Sequence, residues 1–343
     1  MGFGADCSSV TPSRSTSPST SPRTSLDFTS ASEDRSSGDW TQNDDIFSLG
    51  DYLICTRHLL GRGSFGEVKL GFHRPTGRRV AVKIINKAQL SPEKRQEVDR
   101  EIEILKKVGI HPCIVSLHDV AEDESFIYMF FEYVASDLLR FLKQHGRLDE
   151  PVVYRIFSQL VEAVSYLHAN GIVHRDIKIE NILIDEASLS VKLCDFGFAT
   201  YYTPTTRFEK WCGSPHTVAP EIIQRIPYSG PKVDVWSLGS VLYTMICAFF
   251  PFQATVPKDV LKRTVLGKFH AFPGGCGSRA THDLISRCLT IDTEKRITLD
   301  HVRQHPFFWK HEKIGAEAVT VEENESGEEG TVEWSDSMDV MTC

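Results

Sequence analysis

From Tyr52 to Tyr133 apolar and polar residues alternate with the two-residue period of half-buried strands. Val68, Leu70 and Phe72 fall on one face, and Ala81, Lys83 and Ile85 share another. One helix interrupts this run. Ser91 suits its N-cap, Pro92 its first helical position and Gly109 its C-terminal stop. Beyond residue 137 the period lengthens to that of a helix. There Ile156, Leu160, Val164 and Leu167 make an inward stripe that ends at Asn170-Gly171, a good left-handed stop. The pattern predicts an α+β chain in two lobes, a small β-rich one followed by a larger helical one. No internal repeat is visible.

Outside this body the apolar pattern stops. Residues 1–45 are rich in Ser, Thr and Pro and nearly free of bulky apolar residues before Trp40, so a disordered tail is expected. Thr11-Pro12, Ser17-Pro18 and Ser21-Pro22 are candidate sites for upstream proline-directed kinases. Residues 312–343 carry ten acids against Lys313 and are expected to form a second disordered tail. Net charge is −8, of which the two tails hold −4 and −9, leaving a mildly basic body at +5. No continuous basic stripe runs along that body, which makes nucleic acid a poor partner.

A hydrophobic fraction of 41% is enough for a sizeable core. With no apolar run of 18 residues, no membrane span is expected. Gly2 would invite lipidation, but Asp6 stands where that motif wants Ser or Thr. The nine cysteines are scattered without a C-x-x-C pair, against a structural zinc site. Their odd number and the lack of a secretory pattern point to a reducing compartment, cytoplasmic or nuclear.

Candidate chemistry begins at Gly61-Arg62-Gly63-Ser64-Phe65-Gly66-Glu67-Val68. Glycines let backbone amides approach phosphates and accept the dihedrals of a tight turn. A dinucleotide site would place a helix after Gly66, whereas here a strand follows, then a Thr76-Gly77 turn and another strand. The loop therefore belongs to a hairpin. Lys83, in the apolar strand Val80-Ala81-Val82-Lys83, needs a partner, because a buried unpaired ammonium costs several kcal/mol. Glu101 can supply it, since Val98, Glu101 and Leu105 share one helix face.

His174-Arg175-Asp176-Ile177-Lys178-Ile179-Glu180-Asn181, then Asp195-Phe196-Gly197, then Ala219-Pro220-Glu221 complete the set. In this order the motifs closely resemble the signature of eukaryotic protein kinases, and the resemblance spans residues 52–309. It implies the bilobal protein kinase fold and ATP with Mg2+ as cofactors. Gly61, Gly63 and Gly66 would cover the phosphates, and Lys83, held by Glu101, would grip the α and β groups. Val68, Ala81 and Leu183 would enclose adenine, with the Glu132–Val134 backbone bonding its edge. Asp195 and Asn181 would be the metal ligands, oxygen donors as Mg2+ requires. Asp176 would orient the incoming hydroxyl while Lys178 neutralises the γ-phosphate. Lys178 and Ser214 resemble serine/threonine rather than tyrosine kinases. Asp137 and Glu180 match positions that face substrate residues upstream of the acceptor, which implies protein substrates in a basic context.

The run from Tyr228 to Phe252 resembles the calcium/calmodulin-dependent and AMP-activated group. Asp234 matches the anchor of the catalytic loop, and Glu221 with Arg296 a buried ion pair. Phe307, Phe308 and Trp309 precede a basic stretch too short for a calmodulin helix, so core packing is expected there. Two departures count. Thr217 replaces a usual tyrosine, and Lys210 stands where activated members carry a phosphorylatable threonine. In that group the phosphate pairs with the residue matching Arg175. Here Glu209 is the nearest fixed charge for that role, and a phosphate on Thr203, Thr205 or Thr206 is its rival. The competing function class is a pseudokinase scaffold that binds partners without phosphotransfer.

Overall fold

The computed structural model describes residues 46–63 and 66–309. The expected tails and their Ser/Thr-Pro sites lie outside the described residues, as do Ser64 and Phe65 of the glycine loop.

The first alternating stretch becomes an antiparallel sheet. Its strands are β1 (Ile46–Leu49), β2 (Tyr52–Gly63), β3 (Gly66–His73), β4 (Arg78–Asn86), β5 (Leu117–Glu122) and β6 (Phe126–Glu132), in the order β1-β2-β3-β4-β6-β5. Strand β1 pairs Ile46 with Cys55 and Leu49 with Tyr52, so the sheet begins six residues before Tyr52. On one face Tyr52, Ile54, Val80, Val82, Tyr128 and Phe130 pack together. The opposite face carries Ile85 and Met129 into the main core beside Val98, Ile104 and Leu105.

Those last residues belong to α1 (Pro92–Val108). Ser91 caps it, its hydroxyl accepting from the Lys94 amide at 3.3 Å, and Gly109 ends it at φ 65°. After the 133–135 linker come β7 (Ser136–Asp137), α2 (Leu138–His145) and α3 (Glu150–Ala169). Ile156, Leu160, Val164 and Leu167 of α3 are all fully buried. Left-handed Gly171, at φ 69°, turns the chain into β8 (Ile172–Val173). Two short ladders follow: β9 (Ile182–Asp185) lies between β10 (Ser190–Leu193) and β7, and β11 (Thr200–Tyr201) pairs with β8.

The rest is helical: α4 (Pro220–Ile223), α5 (Gly230–Cys247), α6 (Pro257–Val265), α7 (Arg279–Cys288), α8 (Leu299–Arg303) and α9 (Pro306–Trp309). Apolar on nearly every side, α5 is buried along most of its length. Phe307 and Phe308 pack against Phe157, which accounts for them as core. Among the described residues no helix is long and apolar enough to cross a membrane.

Candidate active site

Lys83 reaches out of β4 to α1, where its Nζ donates to both Glu101 oxygens at 2.7 and 2.9 Å. Asp195 Oδ1 lies 3.6 Å from the same nitrogen. Burial alone would lower the ammonium's pKa, but Glu101 and then Asp195 outweigh it and hold Lys83 charged.

The catalytic loop supplies a second cluster. Asp176 Oδ1 accepts from the Ser214 hydroxyl at 3.0 Å, and its Oδ2 faces Lys178 Nζ at 3.0 Å. Lys178 also donates to Ser214 Oγ at 2.8 Å, closing a triangle that ties the loop to the segment carrying Ser214. Asn181 Nδ2 donates to the Asp176 carbonyl at 2.9 Å and to its Oδ2 at 3.1 Å. With that nitrogen committed, Oδ1 is the amide atom left to meet a cation.

Holding these groups requires unusual backbone. Arg175 and Asp195 take φ of 67° and 58°, a left-handed region that disfavours side-chain-bearing residues. Fully buried Asp234 secures the first of them. It accepts from the His174 amide at 3.0 Å, the Arg175 amide at 2.8 Å and His168 Nε2 at 2.8 Å. Burial works against its ionisation, but the His168 bond and the nearby histidines keep its pKa low. Behind Asp195, the Phe196 and His174 rings meet edge to face, their centroids 5.0 Å apart.

The expected nucleotide residues are placed as follows. Val68 pairs with Lys83 across β3 and β4, Ala81 pairs with Phe131, and Leu183 sits on β9. Glu132 ends β6, its carboxylate taken by the Ser116 amide at 2.7 Å and by Lys192 at 3.0 Å. Val134 follows it in the linker, half-buried. Gly61, Gly63 and Gly66 do not use left-handed dihedrals, contrary to the turn argument above. Gly66 is required by packing instead, because a Cβ there would collide with the Ile84 carbonyl. Gly61 and Gly63, by contrast, have room for a side chain.

Asp137 caps α2, its Oδ1 accepting from the Arg140 amide at 2.8 Å. Glu180 is the more unusual acid. Its Oε2 is buried without a hydrogen-bond partner, and burial, resisted by Lys178 and reinforced by Asp176 and Asp137, raises its pKa. Glu209, the fixed charge expected near Arg175, is exposed and is not among that residue's partners. The Arg175 guanidinium donates to the Phe198 carbonyl at 2.9 Å and to the Tyr228 hydroxyl at 3.4 Å, and lies 4.9 Å over the Phe208 ring. Cys194 and Cys212 flank the site, and burial raises both thiol pKa values, which suppresses the reactive thiolate.

Among the described residues no cluster of three His, Cys, Asp or Glu side chains could hold a metal unaided. Asp195 and Asn181 carry side-chain oxygens, the donor type that magnesium accepts when phosphates complete its shell. An ion-paired lysine opposite such a pair is the donor chemistry of a phosphoryl-transfer domain. Residues 54–308 match the family model described as "Protein kinase domain", and the chain belongs to that family. It is 37% identical over 272 residues to "Probable serine/threonine-protein kinase MARK-A" of Dictyostelium discoideum, covering 78% of this chain and 25% of that one. Against "Serine/threonine-protein kinase SIK2" of Gallus gallus it is 39% identical over 258 residues, 75% of this chain and 32% of the relative. The chain thus spans a quarter to a third of the length of these relatives. Both names carry the serine/threonine type that the motifs resemble.

Proposed function

We propose that this chain is a protein serine/threonine kinase that moves the γ-phosphoryl group of ATP to Ser or Thr hydroxyls in a basic sequence context. The observation that carries this reading is the Asp176–Lys178–Ser214 triangle beside Asn181, opposite the Lys83–Glu101 pair. Asp176 orients the acceptor hydroxyl and takes its proton. Lys178 spreads its charge over the transferred oxygens, and Lys83 steadies the α and β groups under the Gly61–Gly66 strands. Val68, Ala81 and Leu183 exclude water around the base, with the Glu132–Val134 backbone at its edge. Asn181 and Asp195 would hold magnesium, which neutralises charge between the phosphates. A pseudokinase scaffold has no need of the Asp176–Lys178–Ser214 contacts or of the Lys83–Glu101 pair. The scattered cysteines, none in a C-x-x-C pair, suit a reducing cytoplasm or nucleus. Upstream proline-directed kinases remain candidate partners for the first 45 residues.

Glu180 supports the basic preference. A buried carboxylate oxygen with no partner is costly, and a substrate guanidinium would satisfy it. With ATP and magnesium, the full chain is expected to phosphorylate a serine peptide bearing upstream arginine. Changing that arginine to alanine should lower kcat/KM by about tenfold or more, the worth of one charge-assisted hydrogen bond. Asp137→Asn with Glu180→Gln, chosen because Asn still caps α2, should erase the difference. Absence of transfer to serine and threonine peptides would defeat the activity. Equal rates on the arginine and alanine peptides would defeat the preference alone.

A further inference from the structure

Glu101 meets Lys83 only while α1 stays packed against the sheet, so whatever fixes α1 fixes the pair. Part of that hold comes from the segment between Asp195 and Glu221. Glu97, four residues before Glu101 and on the same helical face, forms an ion pair with Lys210, 113 positions away in sequence. Glu103 Oε1 accepts from the Tyr201 hydroxyl at 3.0 Å, and Lys107 Nζ lies 4.6 Å over the Tyr201 ring. Lys210 itself lies 6.0 Å from the Phe198 ring, beside the Asp195-Phe196-Gly197 turn.

The charges here are arranged oppositely to a phosphate-ordered segment. Such a segment brings a negative group to the arginine before the catalytic aspartate. Here the segment brings a cation, and its partner is an acid on α1. Arg175, 8% exposed, is satisfied by neutral groups: the Phe198 carbonyl, the Phe208 ring and the Tyr228 hydroxyl. That hydroxyl donates onward to the Lys210 carbonyl at 2.8 Å, and Phe208 and Tyr228 exchange backbone hydrogen bonds at 2.8 and 2.9 Å. Tyr228 thus joins Arg175 to Lys210 without a phosphate.

We propose that Lys210 and Glu97 form a fixed-charge latch that stands in for activation-segment phosphorylation, holding α1 where Glu101 reaches Lys83. The latch rests on the phosphotransfer reading for its effect on rate, though not for its effect on α1. Both residues are positioning residues. An exposed pair shifts an equilibrium only a few-fold, but placing like charges face to face adds repulsion to that loss, for about a tenfold total. Salt should weaken the latch, since the Lys210 side chain is 50% exposed.

The test uses the full chain after phosphatase treatment, with Thr203, Thr205 and Thr206 shown bare by mass spectrometry. Hydrogen exchange across residues 92–108 and peptide phosphorylation are measured for wild type, Lys210→Glu, Glu97→Lys and the double reversal. Bare wild type is expected to be active and protected in α1. Each single variant should exchange faster there and lose about tenfold in kcat/KM, and the double reversal should recover most of both. Single variants matching wild type, or a double no better than the singles, would overturn the latch. So would a bare wild type that gains activity only after phosphate reaches one of the three threonines. If no form transfers phosphate at all, the phosphotransfer reading fails, while the exchange data still decide whether the pair holds α1.

Discussion

Asp176→Asn and Asp195→Asn are each expected to cut peptide phosphorylation by about two to four orders of magnitude while leaving the melting temperature within a few degrees of wild type. Asp176 is 3% exposed and meets three donors: Ser214 Oγ, Lys178 Nζ and Asn181 Nδ2. Asparagine keeps the shape but cannot take a proton, and its NH2 would face donors where an oxygen now accepts. At Asp195 asparagine is preferred to alanine because the backbone there is left-handed, which asparagine tolerates better. The change removes the carboxylate 3.6 Å from Lys83 and weakens the proposed metal ligand, but leaves the Lys83–Glu101 pair intact. Burial resists ionisation of Asp195, yet Lys83 and then Lys178 hold its pKa low, so the carboxylate is charged at neutral pH. Steady-state rates with a serine peptide, beside thermal melts, decide the matter. Retention of more than about a tenth of wild-type kcat/KM by either variant would remove that aspartate from the mechanism.

The site is made of strained and buried polar parts held by neighbours rather than by local preference. Left-handed backbone costs about 1–2 kcal/mol for a residue with a side chain, and Arg175 and Asp195 both adopt it. Asp234 offsets part of this with two backbone amides in the His174-Arg175 turn. Its own charge is buried, so the histidine bond and the amides are what make it tolerable there. Function and stability therefore meet at one carboxylate 58 residues from Asp176.

Much of this was legible in sequence where the signal is local. Ser91, Pro92 and Gly109 bound α1 as cap chemistry requires, and the stripe from Ile156 to Leu167 is buried throughout. Lys83 and Glu101 could be paired because a buried ammonium needs a carboxylate and only one helix face offered it. Other features left no local trace. Strand β1 consists of four residues, too few for alternation to show. Glu209 is adjacent to Lys210, but segment geometry turns it to solvent and gives Arg175 a tyrosine, a carbonyl and a ring. The Glu97–Lys210 pair joins two hydrophilic positions that read separately as solvated surface. The glycines show a subtler gap, since the residue type was informative while the reason at Gly66 was packing against β4.

Arg296→Leu is expected to destabilise the fold by about 3–5 kcal/mol, the largest stability loss of any single substitution considered. The guanidinium is fully buried and donates to Glu221 twice, at 2.7 and 2.9 Å. It also reaches the carbonyls of Thr290 and Lys232, both at 2.9 Å, and lies 4.9 Å from the Trp236 ring. Leucine fills part of the volume but leaves the Glu221 carboxylate buried among carbonyls, with no cation to offset its desolvation. In a domain of this size each kcal/mol moves the melting temperature by about 2–4 °C, so a fall of roughly 10 °C is expected. Glu221→Leu with Arg296→Leu should melt above Arg296→Leu alone, because the orphaned charge is gone. That ordering separates ion-pair electrostatics from lost packing, which would make the double variant the less stable of the two. Glu221 closes the segment that begins at Asp195, so the same substitution should loosen Ser214 from Asp176. Transfer per folded molecule, measured well below the melting range, is therefore expected to fall in Arg296→Leu and to recover with Arg296→Lys only in part, since lysine restores one charge but not the paired hydrogen bonds.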